Sequence, residues 1–175
     1  MKLARLFVLS AATILLASTG FARAETKVVL SGTHICCPAC VRDAGAILKG
    51  VEGATGKCDQ KAKTITITAK DDATAQKAID ALAAGGFHGK TDNKDVTVKD
   101  DSGVKEGKVK TLTITGVHNC CGACTSAIKS TLKKVEGVKA DTVANKVTTF
   151  DVTGDFDAEA VIKALNAAGF HAKVK

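Results

Sequence analysis

The chain has no tryptophan, no tyrosine, one proline and one methionine in 175 residues. Beyond residue 24 its aromatic rings are Phe87, Phe150, Phe156 and Phe170. So few rings exclude a single-stranded nucleic-acid platform built on base stacking, and the lysines are dispersed rather than gathered into a basic face, so no nucleic-acid partner is expected. Pro38 is the only proline. That disfavours a thioredoxin-like redox fold, which also sets a proline in a loop facing its active-site cysteines. Aspartates and glutamates fall at helix starts and turns without close pairing, which assigns them to caps and solubility. The longest apolar run, Leu6 to Ala17, is short for a membrane span. Preceded by Lys2 and Arg5 and followed by Ala22-Arg23-Ala24, it reads first as a secretory signal peptide cleaved near Ala24, with an uncleaved anchor as the alternative. The mature protein is then periplasmic or otherwise exported, with no membrane span. No cysteine adjoins the cleavage point, so no lipid anchor is expected. Removal of Lys2, Arg5 and Arg23 lowers the net charge from +7 to about +4.

Cysteine is what the chain has in excess. The string Gly32-Thr33-His34-Ile35-Cys36-Cys37-Pro38-Ala39-Cys40 returns 84 positions later as Gly116-Val117-His118-Asn119-Cys120-Cys121-Gly122-Ala123-Cys124. Six of seven cysteines and two of four histidines thus occupy two copies of Gly-x-His-x-Cys-Cys-x-Ala-Cys; the other histidines repeat as Gly86-Phe87-His88 and Gly169-Phe170-His171. Thiols and imidazoles recurring together at fixed spacing are most simply metal ligands.

The repeat divides the chain into a signal peptide (1–24), a first domain (25–92), a hydrophilic linker rich in Lys, Asp and Gly (93–107) and a second domain (108–175). In the first domain a strand at Lys27–Ser31 leads into the cysteine loop. Pro38 opens a helix carrying Val41, Ala44, Ile47, Leu48 and Val51. Strands at Ala54–Asp59 and Lys63–Ala69 follow, then a helix capped by Asp71 or Asp72 and ended by Gly85-Gly86, and a last strand near Phe87. The second domain repeats the order: a strand at Thr111–Thr115, a helix through Ile128, Leu132 and Val135, strands near Val138–Val143 and Lys146–Val152, a helix from Asp157, and a strand at Phe170–Val174. Each half is therefore α+β, a ferredoxin-like βαββαβ unit with two helices on one face of a four-stranded antiparallel sheet. A short extra strand is expected at Val96-Thr97-Val98 in the linker.

Cys37 and Cys40, like Cys121 and Cys124, stand three apart where a strand turns into a helix. The free N–H groups and positive dipole end there favour thiolate over thiol. Soft thiolates select Cu(I), Zn(II) and other thiophilic ions. The alternative for each pair is a structural disulfide, which needs neither the third cysteine nor the histidine. Cys36 and Cys120 are ligands or else protecting thiols that exchange with a neighbour. His34 and His118 are ligands or else bond nearby backbone. Cys58, unmatched in the second half, reads as a half-buried strand residue.

At these residues the chain resembles the heavy-metal-associated domain of copper chaperones, copper-transporting ATPase N-termini and the periplasmic mercury-binding protein. The resemblance rests on the βαββαβ order, C-x-x-C after the first strand, Val51-Glu52-Gly53 and Val135-Glu136-Gly137 after the first helix of each half, and Gly-Phe before the last strand. It implies Cys37, Cys40, Cys121 and Cys124 as metal thiolates, and Phe87 and Phe170 as aromatic neighbours of the metal loop; His88 and His171 are accessory positions beside them or else polar residues starting an exposed strand. The chain departs from the family's Gly-Met-x-Cys: the loop is two residues longer, lacks the Met, and adds His34 and Cys36. His34, Cys36, Cys37 and Cys40 could close a tetrahedral Zn(II) site, and Cu(I) would need two or three of the same sulfurs.

The expected function is non-enzymatic: an exported protein holding a thiophilic ion in each of the two loops for delivery, buffering or detoxification. Cu(I) is expected foremost, with Zn(II), Hg(II) or Cd(II) as the other candidates. The expected partner is a metal-donor or metal-acceptor protein such as a metal transporter. A thiol-disulfide oxidoreductase and a structural Zn(II) module are the competing readings.

Overall fold

A computed structural model describes residues 25–175; the expected signal peptide lies outside the described residues. The chain forms β1 (Thr26–Ser31), α1 (Pro38–Lys49), β2 (Ala54–Asp59), β3 (Thr64–Ala69), α2 (Asp72–Ala84) and β4 (Lys90–Thr91), then β5 (Lys108–Thr115), α3 (Gly122–Leu132), β6 (Val138–Asp141), β7 (Phe150–Asp157), α4 (Ala158–Ala167) and β8 (Lys173–Val174). These make two four-stranded antiparallel sheets, ordered β2-β3-β1-β4 and β6-β7-β5-β8, so the ferredoxin-like arrangement occurs twice.

Period-two alternation explains the central strands. Val28 and Leu30 on β1 and Ile65, Ile67 and Ala69 on β3 point to one face and are buried, while Val29 and the threonines between the β3 residues are only partly buried. The helices cover that face with Ala44 and Leu48 from α1 and Ala75, Ala78, Ile79 and Leu82 from α2. Asp71 caps α2 by accepting from the Thr74 N–H at 2.7 Å, and Asp157 caps α4 through the Ala160 N–H at 3.0 Å.

Three elements differ from the sequence expectation. The strand expected at Lys146–Val152 begins only at Phe150 and runs to Asp157: residues 144–149 form an exposed turn around Lys146, whose φ is +62°. The side chain of Asn119 pins that turn by donating to the Ala144 and Val147 carbonyls at 2.8 and 2.9 Å. No strand forms at Val96-Thr97-Val98. The Thr97 N–H and C=O bond the Gln76 side chain at 3.0 and 2.9 Å instead of a sheet edge. The segment is strapped down as well as hydrophilic: Val96 and Ser102 are buried, Ser102 C=O accepts from the Val174 N–H at 2.8 Å, and Gly107 C=O accepts from the Ala158 N–H at 3.0 Å. The last strands do not begin at Phe87 or Phe170, which bridge each other across the two halves; β4 and β8 are two-residue pairs further on.

That bridge joins the halves. His88 N–H donates to Gly169 C=O at 3.1 Å, His171 N–H to Gly86 C=O at 2.9 Å, and His34 N–H to Gly169 C=O at 3.2 Å. Glycine is required at the crossing. Gly169 has φ +88°, and a Cβ there would lie 2.3 Å from the His34 nitrogen; Gly86 has φ +83°, and its Cβ would lie 2.1 Å from the His118 nitrogen. Each Gly-Phe turn is thereby pressed against the cysteine loop of the opposite half.

Candidate metal centre

Because the Gly-Phe turns cross over, the two cysteine loops meet face to face. Cys36 Sγ lies 3.7 Å from Cys40, 3.7 Å from Cys121 and 3.5 Å from Cys124. Cys40 Sγ lies 3.6 Å from Cys37, 3.4 Å from Cys120 and 3.9 Å from Cys124. Cys37 and Cys120 are 3.8 Å apart, and Cys124 is 3.8 Å from Cys120 and 3.7 Å from Cys121. The pattern is nearly two-fold: exchanging 36, 37 and 40 with 120, 121 and 124 reproduces it. All six thiols are free, at separations far beyond the roughly 2.05 Å of a disulfide. Cys40 and Cys124 are fully buried and the other four half-buried.

Both loops are held from outside. Gln60 donates to Cys36 C=O at 2.8 Å, and Thr33 N–H to Lys63 C=O at 3.2 Å. Asn119 also accepts from the Thr125 hydroxyl at 2.9 Å. Pro38 takes the first position of α1, and Cys37 and Cys121, in extended conformation, occupy the N-caps of α1 and α3. Two positive helix ends thus flank one group of sulfurs. Neither cap residue makes a full capping bond, yet the Cys124 backbone N–H beside Cys121 draws its thiol down to about 7. The contact between Cys40 and Cys124 shifts the two in opposite directions, holding the Cys40 thiol low and raising that of Cys124. Burial pushes Cys36 up to about 12 and raises Cys120 as well. A metal ion entering here displaces protons from thiols that otherwise keep them.

His34 and His118 join the sulfurs from either side. A His118 ring nitrogen lies within 4.8 Å of Cys40, Cys120 and Cys124, and one of His34 within 4.8 Å of Cys36 and Cys124. The Nε2 atoms of both are buried without a hydrogen-bond partner, an arrangement that costs free energy unless a ligand completes it. His34 stacks on Phe170 at 4.3 Å and His118 on Phe87 at 4.2 Å, each on the phenylalanine of the opposite half. The four-donor set with tetrahedral reach is Cys40, His118, Cys120 and Cys124, drawn from both loops rather than from one. Cys36 and Cys37 do approach each other, within 4.8 Å and together with Cys121.

His88 and His171 are brought to each other rather than to the sulfurs, with Nδ1 atoms 3.2 Å apart. His171 is buried and its Nε2 meets Asp101 at 2.7 Å; Lys173 pairs with the same carboxylate. Asp101, from the segment joining the halves, had no signal in the sequence. Cys58 sits on β2 opposite Ile65, apart from the cluster, and burial raises its thiol.

Burial, then the neighbouring His171 charge, lowers the His88 imidazole to about 4. Between about pH 4 and 6.5 the unfolded chain takes up a proton that the folded chain refuses, so stability is full above 6.5 and falls as the pH drops through that window. In metal-free protein the melting temperature of wild type is expected to fall more steeply from pH 7 to 4.5 than that of His88→Gln. Parallel curves would contradict this.

A ferredoxin-like fold presenting soft donors at a strand-to-helix turn defines a metal-binding protein class. Residues 108–171 match the model of the heavy-metal-associated domain. Two solved structures align more loosely. One is a copper binding domain from HMA7, a P-type ATPase, with 25% identity over 38% of this chain and 95% of that chain, at a TM-score of 0.35. The other is the N-terminal soluble domains of Bacillus subtilis CopA, with 19% identity over 87% of this chain and 95% of that one, at a TM-score of 0.30. No curated protein matches the chain. Among the described residues no helix is long and apolar enough to cross a membrane.

Proposed function

We propose that this is an exported, non-enzymatic protein that sequesters thiophilic metal, Cu(I) foremost, in a centre shared by its two heavy-metal-associated units. The observation that carries the reading is the convergence of six free thiols, with contacts of 3.4–3.9 Å, beside two histidines whose buried Nε2 atoms lack partners. Soft thiolates under two helix N-termini favour a soft monovalent cation over hard ions. Cys36, Cys37, Cys40, Cys120, Cys121 and Cys124 are the proposed thiolates, with His34 and His118 as further donors. Phe87 and Phe170 hold those imidazole rings in place, and His88 and His171 fasten the halves together.

Because Cys40 and Cys124 are enclosed, buffering or detoxification fits better than ready delivery. Transfer to a metal transporter or another acceptor requires the half-buried Cys37 or Cys121 to be attacked first, or the halves to part. Zn(II) is the second reading, favoured by the Cys40, His118, Cys120, Cys124 set; Hg(II) and Cd(II) suit the same sulfurs. Reduced protein offered Cu(I) without oxygen and then desalted is expected to retain it, and the metal-free protein is expected not to reduce insulin disulfides. No retained metal, or robust insulin turnover, contradicts the proposal.

A further inference from the structure

The geometry points to more than a shared location: we propose that the six sulfurs take up two to four Cu(I) ions as one polynuclear thiolate cluster, every ion held by cysteines from both halves. This rests on the metal-binding reading above.

Connectivity carries the argument. A metal–sulfur bond of about 2.3 Å asks for sulfurs about 3.8–4.0 Å apart around a tetrahedral or trigonal ion. The contacts of 3.4–3.9 Å close four triangles: Cys36-Cys121-Cys124, Cys36-Cys40-Cys124, Cys40-Cys120-Cys124 and Cys37-Cys40-Cys120. No triangle is made by one loop alone. The two outer triangles share no sulfur, so two ions fit without competing for a ligand. A single ion in either one would leave three sulfurs unused. Cys40 and Cys124 each belong to three triangles and are the bridging sulfurs; Cys37 and Cys121 each belong to one. Each Cu(I) that enters bonds to cysteine sulfurs; where a sulfur still carries its proton the S–H bond breaks and the proton passes to water, and no electrons are exchanged. Six thiolates around four monovalent ions leave two negative charges, facing the positive ends of α1 and α3.

The test is native mass spectrometry of the full mature chain, reduced and titrated with Cu(I) in the absence of oxygen, with X-ray absorption on the loaded sample. Two to four ions per monomer with a copper–copper scattering vector are expected. Cys121→Ser removes one triangle and should cost one ion. Cys124→Ser removes three and should leave at most one. Two independent loop sites would lose one ion in either variant, so a wild type holding three or four ions separates the readings by the larger loss in Cys124→Ser, and one holding two separates them by the copper–copper vector. One ion per wild-type chain, two ions without the copper–copper vector, more than four, or binding only in a dimer overturns the cluster while leaving metal binding intact. Retention of no copper at all sinks the metal-binding reading itself. Should Cys124→Ser fail to fold by circular dichroism, the stoichiometry and scattering of the wild type still decide.

Discussion

Replacing Gly169 by alanine is expected to destabilise the protein by about 3 kcal/mol, lowering its melting temperature by about 10 °C, and to open the metal centre. The φ of +88° already costs an L-residue about 1–2 kcal/mol. The new Cβ would also meet backbone, 2.3 Å from the His34 nitrogen and 2.5 Å from the Gly32 oxygen. Backbone cannot swing aside as a flexible side chain can, so relief comes by separating the Gly-Phe turn from the first cysteine loop. That separation breaks the bond from His34 N–H to Gly169 C=O and the stacking of His34 on Phe170. Gly122→Ala is the control: open space surrounds it and its φ is ordinary. Thermal melts and Cu(I) affinity measured on both variants check this, with Gly122→Ala near wild type in each. An unchanged melt for Gly169→Ala would mean the halves are not docked this way.

The second large effect concerns which cysteines matter most. Every triangle of touching sulfurs contains Cys40 or Cys124. The double variant Cys40→Ser with Cys124→Ser is therefore expected to bind Cu(I) at least about a hundredfold more weakly, about 2.7 kcal/mol. Cys37→Ser with Cys121→Ser leaves the two inner triangles whole and should lose far less affinity. Two separate C-x-x-C sites would make these double variants equally damaging, since each removes one thiolate from each pair. Competition against a coloured Cu(I) chelator measures the difference. Equal losses would favour separate sites.

The fold was legible in the sequence because it rests on local signals. Alternating Ile65 and Ile67, Pro38 at a helix start, and Asp71 and Asp157 as caps each act within a few residues. The βαββαβ order, stated twice, fixed both sheets. β7 was misplaced because Val147 reads as a strand residue, whereas Asn119, distant in sequence, holds that segment in a turn. The expected strand at Val96-Thr97-Val98 failed for the same kind of reason, since Gln76 takes its backbone bonds. The candidate donor residues could be named from spacing and chemistry alone. Their partners could not. A loop reads as self-contained when only its own residues are in view, and nothing local says that Gly86 and Gly169 are pressed against the opposite loop. The nine-residue repeat was visible as two sites; that it folds into one centre depends on docking between halves, which periodicity does not encode.

The central claim is that one ion takes sulfur from both halves. Cadmium NMR of the isotopically loaded protein tests it most directly, because scalar coupling from the metal to cysteine β-protons identifies the ligands of each ion. A cadmium resonance coupled to Cys40 together with Cys120 or Cys124 is the predicted result. Resonances that each couple only to Cys36, Cys37 and Cys40, or only to Cys120, Cys121 and Cys124, would contradict it.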